Sequence, residues 1–135
     1  MSEIKIPSKV WKEFLQTFSE QHAGWLVQIE THDIQTDETV ASRIAALRSI
    51  ELDDEDVNNP RINVTVLYAT KELKHILFRP SQVTLRIAGH EEEDSLRISS
   101  LHTNTTVRMR GAKKIDPLDV IRTLNVLDVV RDEAA

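Results

Sequence analysis

Arg86, Arg97, Arg108 and Arg110 are the side chains whose type and spacing come closest to a chemical purpose. Each falls opposite the apolar positions of a short alternating segment: Val83-Leu85-Ile87, Leu96-Ile98 and Val107-Met109. If these segments are neighbouring antiparallel strands, period-two alternation sets the four guanidiniums side by side on one sheet face. With Thr84, Ser99 and Thr106 between them, that face could hold an acidic protein segment or a small anion through charge-assisted hydrogen bonds. The competing reading is an ordinary wet face whose arginines are neutralised by Glu30, Glu51 or acids near the C-terminus. Lys113 and Lys114 extend the basic run, but no aromatics interleave it, so a nucleic-acid platform is not expected.

The remaining reactive side chains form no motif. His22 lies one turn before Gly24, where an imidazole meets the negative end of a helix dipole and can bond a free carbonyl; no serine or cysteine nucleophile accompanies it. His32, His75, His90 and His102 fall on different strands and turns without the spacing that presets two metal ligands. Asp54-x-Asp56-x-Asn58 imitates the opening of a calcium loop, but Asn59 stands where glycine is required, Pro60 follows, and Thr65 replaces the bidentate glutamate. That run, like Glu91-Glu92-Glu93-Asp94, reads as a solvated acidic turn that discourages edge-to-edge association. No cysteine is present, which removes thiol catalysis and cysteine-based metal sites. No catalytic residue, metal or cofactor is expected.

The elements that must position these side chains begin with a helix. Trp11, Phe14, Leu15 and Phe18 recur at three- and four-residue spacing, Ser8 offers a cap, Pro7 restricts the chain before it, and Gly24 can end the helix in the left-handed region. Lys12, Glu13 and His22 fall on its wetter faces. Burying the three aromatics contributes about 1.5–3 kcal/mol each, enough to make this helix the cover of a sheet.

After Gly24 the period changes to alternation. Trp25, Val27 and Ile29 oppose Gln28, Glu30 and His32. Residues 35–46 fit strand, helix or loop, and a strand is favoured from about Ala45 to Leu52. The segment Asp53 to Pro60 is a turn-rich loop, Ile62, Val64, Val66 and Tyr68 point inward from the next strand, and Ile76 and Phe78 mark a fourth strand ended by Pro80. The three arginine-bearing strands follow, the last after a turn at Thr103–Thr105. Short connections favour antiparallel neighbours. The expected fold is α+β, an N-terminal helix on a curved antiparallel sheet of six or seven strands.

Residues 1–111 form that helix-plus-sheet domain, and 112–135 read as a C-terminal helical extension, part of the same domain or an oligomerisation element. Asp116 can cap, Pro117 suits the first helical position, and Leu118, Ile121, Leu124, Leu127 and Val130 recur at three-residue steps. Valines spread the apolar area around this helix, so it is buried on more than one side or joins a second subunit, which leaves a homodimer open. A β reading of the same valines also stands.

Ile6-Pro7, Trp11, Phe14, Phe18, His22 and Gly24-Trp25, with the Pro80 turn and Val107-Arg108-Met109-Arg110, resemble a bacterial family of small domains of unknown function over residues 4–110. The resemblance implies a helix-plus-sheet layout and carries over no activity, cofactor or catalytic residue. The segment from Ala112 departs from it.

At 135 residues with 22 acidic against 17 basic side chains, the net charge of -5 argues against general attraction to nucleic acid or an anionic membrane. The opening Met-Ser-Glu has no apolar leader, and no apolar run is long enough to cross a bilayer. The expectation is a cytoplasmic, non-catalytic interaction domain whose partner is an acidic protein. The alternative is a small anionic-ligand module or enzyme with a pocket between helix and sheet.

Overall fold

The computed structural model describes residues 2–88, 93–110 and Leu124. It is a sheet-dominated α+β structure: β1 (Ser2–Lys5), a 3-10 turn (Ser8–Val10), α1 (Trp11–His22), β2 (Leu26–Asp33), β3 (Thr39–Asp53), β4 (Arg61–Tyr68), β5 (Lys71–Phe78), β6 (Gln82–Ile87), β7 (Ser95–Ser99) and β8 (Thr103–Met109). All eight strands join one sheet in the order β1-β6-β7-β8-β2-β3-β4-β5, and every pairing is antiparallel. The count is eight rather than six or seven because Ser2–Lys5, too short to show a period, pairs with β6 at one edge.

The connection between β5 and β6 shows how far this sheet curls. Residues 79–81 take the chain from Phe78 to Gln82, a reach of at most about 14 Å. In a flat sheet those two strands, six places apart in the order, would stand nearly 30 Å from each other at about 4.8 Å per strand. The sheet is therefore rolled, and β5 returns to the far side: Leu101 N–H donates to Phe78 O (3.0 Å), and Ser81 N–H to Ser99 O (2.8 Å). The roll does not close, since β1 and β5 remain unpaired edges.

The concave face is the core. Val27, Leu47, Ile50, Ile62, Val64, Val66, Val83, Leu85, Leu96, Ile98, Val107 and Met109 are all fully buried there. The helix supplies Phe14, Leu15 and Phe18 from one side, the expected stripe. Trp11 joins them and donates its indole N–H to Ile6 O (2.9 Å), which fastens the chain entering the helix to the helix itself. Ser8 does not cap: it opens the 3-10 turn, Val10 precedes α1 without a side-chain bond, and the first turn is anchored by Val10 N–H to Pro7 O (3.1 Å). At the other end Gly24 takes φ +86°, and its N–H donates to Leu47 O (2.7 Å). The glycine therefore both turns the chain and starts the β2–β3 ladder.

β3 is longer than expected, and the ambiguous residues from Thr39 onward are its exposed first half. A bulge between Leu47 and Ser49 shifts its register by one, so that Ala45, Leu47 and Ile50 all face the core. Past that bulge β2 has ended, and α1 takes its place. The Ser19 hydroxyl donates to Ile50 O (2.9 Å) and accepts from Ile50 N–H (2.7 Å).

The strand marked by Ile76 and Phe78 is β5, in which Leu73 and Leu77 pack inward while Ile76 and Phe78 are exposed on the outer face. Other expectations need correction. Tyr68 ends β4 half exposed beneath the Arg43 guanidinium, 5.2 Å from its ring centre. Thr103–Thr105 belongs to β8, and the turn before it is at 100–102. Leu124 is helical and partly buried against the core. The rest of the expected C-terminal helix, with Leu118, Ile121, Leu127 and Val130, lies outside the described residues, as does most of the acidic turn at 89–92.

Candidate functional site

The outer face of β1, β6, β7, β8 and β2 is a lattice set by register. One row runs Glu3, Arg86, Ser95, Arg108, Gln28, and the next runs Lys5, Thr84, Arg97, Thr106, Glu30. Arg86 and Arg108 thus flank Ser95 two strand spacings apart, about 10 Å between backbones. Arg97 rises from β7 between them, one row away. The three arginines, Thr84, Ser95, Thr106 and Glu3 line one hollow of about 160 Å³. Its depth comes from side-chain length: long arginine stems stand around short hydroxyl residues.

Three of the four expected arginines therefore come together and the fourth does not. Arg110 follows the last residue of β8; its backbone N–H caps Leu26 O (3.0 Å) and its guanidinium turns to Glu93 (Nη1 to Oε1, 3.0 Å). Glu30 was one of the acids expected to neutralise this face, and it does reach Arg108, at 3.5 Å from each of two nitrogens. Glu30 is shared with His32, whose Nε2 lies 3.3 Å away. Arg97 is exposed and makes no hydrogen bond or ion pair among the described residues. Lys113 and Lys114 lie outside the described residues.

Two lining residues were not foreseen. Glu3 required the unexpected first strand, whose four residues are too few to show a period by themselves. Ser95 takes the place assigned to Ser99, because register, which alternation alone does not fix, sets Ser99 opposite Gln82 and Asn104.

His22 is not part of any site. It is buried rather than on a wet face, and Nδ1 donates to Phe18 O (2.7 Å), so the proton of the neutral ring is on Nδ1. Its ring lies 4.2 Å from that of Phe18 and 4.6 Å, edge-on, from that of Trp25. Burial pushes its pKa below the ordinary value, and the bond to the Phe18 carbonyl opposes that shift. His75 is pushed down by burial and then by the nearby Arg43 charge. No group of three histidines, aspartates or glutamates among the described residues could hold a metal.

The acidic loop spends its carboxylates on its own turns and on neighbouring cations. Asp53 accepts from Glu55 N–H (3.2 Å) and Arg61 (3.2 Å), and Asp56 from Asn58 N–H (3.1 Å) and the Asn59 amide (3.2 Å). Asp54 pairs with Lys12 at 3.1 Å.

A larger hollow, about 420 Å³, lies between α1 and β3, with Lys12, Gln16, Glu20, Arg48 and Glu51 on its walls. It is an open groove: the Lys12 and Arg48 side chains are 61% and 57% exposed. Its charges are mixed, and Arg48 already faces Glu72 at 3.9 Å. Arg86 and Arg97 are on the opposite face of the sheet and cannot orient a ligand there. The smaller hollow is the chemically convergent one.

No protein-family model, curated protein or solved structure matches this chain. Among the described residues no helix is long and apolar enough to cross a membrane.

Proposed function

We propose that this protein is a non-catalytic interaction domain that holds an anionic group of a partner protein on the outer face of β6, β7 and β8. The single observation behind this reading is the hollow in which Arg86, Arg97 and Arg108 surround Thr84, Ser95 and Thr106, with Arg97 ionically unengaged among the described residues. Guanidinium forks and short hydroxyls donate hydrogen bonds to anions, and nothing in the lining other than Glu3 carries negative charge. The hollow contains no nucleophile paired with a base, so it is built to bind rather than to transform.

On this reading the partner surface is acidic, nucleic acid is not a target of a chain with net charge -5, and the protein works in the cytoplasm. The bacterial family of unknown function that residues 4–110 resemble brings no competing activity. Self-association is a separate proposal, read from the mass of the full chain in solution, 15.4 kDa for one copy.

The test is charge reversal at an exposed position. Arg97→Glu is expected to leave the unfolding temperature unchanged while abolishing retention of an aspartate- and glutamate-rich peptide at low ionic strength. Equal retention by both proteins would end the reading.

A further inference from the structure

Resting on that reading, we infer that the anion seated among Arg86, Arg97 and Arg108 is a terminal phosphomonoester dianion, and that only this phosphate enters the hollow.

The arrangement of donors is the first argument. A carboxylate is planar with two oxygens, and a single guanidinium fork satisfies it. Here three guanidiniums border one hollow from three strands, two of them flanking Ser95 and the third displaced by a row. Three terminal oxygens disposed around one phosphorus meet donors from three directions at once. A phosphomonoester presents such a set, and an internal phosphodiester, with two free oxygens and one charge, does not.

Charge is the second argument. The lining carries three arginines against the single carboxylate of Glu3. A phosphomonoester holds about 1.5 to 2 negative charges at neutral pH, closer to the lining's excess than the single charge of a carboxylate. Glu30, in the next strand and outside the lining, offsets part of the Arg108 charge, with Nε and Nη2 each 3.5 Å from its carboxylate.

Size is the third. At about 160 Å³ the hollow has the volume of roughly five water molecules at about 30 Å³ each. That is room for a phosphoryl group and a little solvent. It falls well short of the 300 Å³ or more, roughly, that a drug-sized ligand occupies. The carrier of the phosphate, a side chain of a partner protein or a small metabolite, therefore stays outside.

The experiment is isothermal titration of the full chain at low ionic strength with four probes. These are a phosphoserine peptide, the same peptide with glutamate at that position, glycerol 3-phosphate and inorganic phosphate. The phosphoserine peptide is expected to bind at least about tenfold tighter than its glutamate counterpart, the equivalent of one further charge-assisted hydrogen bond. Arg97→Lys, which keeps the charge but loses the fork, should weaken phosphoserine binding several-fold, and Arg97→Glu should abolish it. Tighter binding of the peptide than of glycerol 3-phosphate assigns the phosphate to a protein; equal binding leaves the phosphate itself as the whole determinant, and the inference holds either way. If the glutamate peptide binds as tightly as the phosphoserine peptide and Arg97→Glu abolishes both, the phosphate inference is overturned and the anion-binding reading stands. If no probe binds better to the natural chain than to Arg97→Glu, both are overturned.

Discussion

Ser19 is a serine in the middle of a helix, yet it carries the junction between that helix and the sheet, and its removal is the sharpest test of how the fold is held. Its hydroxyl closes both backbone groups of Ile50, donating to the carbonyl at 2.9 Å and accepting from the N–H at 2.7 Å. Those groups point to the side of β3 that β2 has already left, because the bulge between Leu47 and Ser49 advances the register by one residue. No strand is there to pair with them. In Ser19→Ala two buried backbone groups lose their partner, at about 1–3 kcal/mol each when water does not replace it. Two effects reduce the sum. Alanine is the better helix former by a few tenths of a kcal/mol, roughly, and the groove beside Ser19 and Ser49 admits some water. A net loss of about 2–3 kcal/mol remains.

In a domain of this length each kcal/mol moves the unfolding temperature by roughly 3–5 °C, so the melting point should fall by about 10 °C. Urea unfolding should show a lower midpoint with an unchanged slope, since the surface exposed on unfolding is the same. Native-state hydrogen exchange offers a local readout: the Ile50 amide, protected in the natural chain, should exchange far faster than those of Val64 and Val66 in the variant. Ser42→Ala is the control, because that hydroxyl accepts one bond from the Gln28 amide in an exposed position and should cost less than about 0.5 kcal/mol. Equal stability of the Ser19 and Ser42 variants, with Ile50 still protected, would refute the reasoning.

The other predictions follow from backbone and charge. Gly24→Ala meets no atom within 4 Å of its new Cβ, so its cost should be the left-handed backbone alone, about 1–2 kcal/mol by chemical denaturation; a loss above about 4 kcal/mol would mean a steric clash instead. Ala69 sits at φ +56° in the β4–β5 turn, and Ala69→Gly should raise stability by up to about 1 kcal/mol, a gain that a thermal melt either shows or does not. Burial holds the His22 and His75 pKa values below 6.5, so the unfolded chain takes up protons first on acidification; stability should be level above about pH 7 and fall as pH drops below about 6.5. In His22→Phe that acid slope should be shallower in urea midpoints measured across the range, and a midpoint that rises on acidification would contradict the assignment.

Much of the fold was legible because period-two alternation survives wherever one face is dry. Val83-Leu85-Ile87, Leu96-Ile98 and Val107-Met109 each marked their strand, and the aromatic ladder of α1 marked the helix. Legibility failed where that condition lapses. At the edge strand β5 both parities carry apolar residues, Leu73 and Leu77 inward and Ile76 and Phe78 exposed outward, so alternation there does not say which face is dry. In β3 the first half is exposed and the second is interrupted by a bulge, so no single period fits its fifteen residues. His22 was placed on a wet face although it continues the Trp11-Leu15-Phe18 stripe at three- and four-residue spacing, and Trp25, beyond Gly24, folds back over it.

The candidate site divides along the same line between what a strand knows and what a sheet decides. Alternation within each strand was enough to put four arginines on the outer face. It could not say which would meet, since that depends on how many residues each turn consumes before the next strand begins. Arg97 stands opposite Thr84 and Thr106 while Arg86 and Arg108 both stand opposite Ser95, so the three long side chains are staggered and enclose the three short ones. A slip of two residues in β7 would keep every side chain on its face and carry Arg97 either into line with Arg86 and Arg108 or away to the level of Gln82 and Asn104, undoing the stagger that encloses the hollow. The buried Asp94 guards against that slip: its carboxylate accepts from Ala88 N–H (2.9 Å) at the end of β6, and its own carbonyl accepts from Met109 N–H (2.8 Å) at the end of β8. A single residue at the start of β7 thus ties all three arginine-bearing strands at one level, and the shape of the hollow depends on that tie as much as on the arginines themselves.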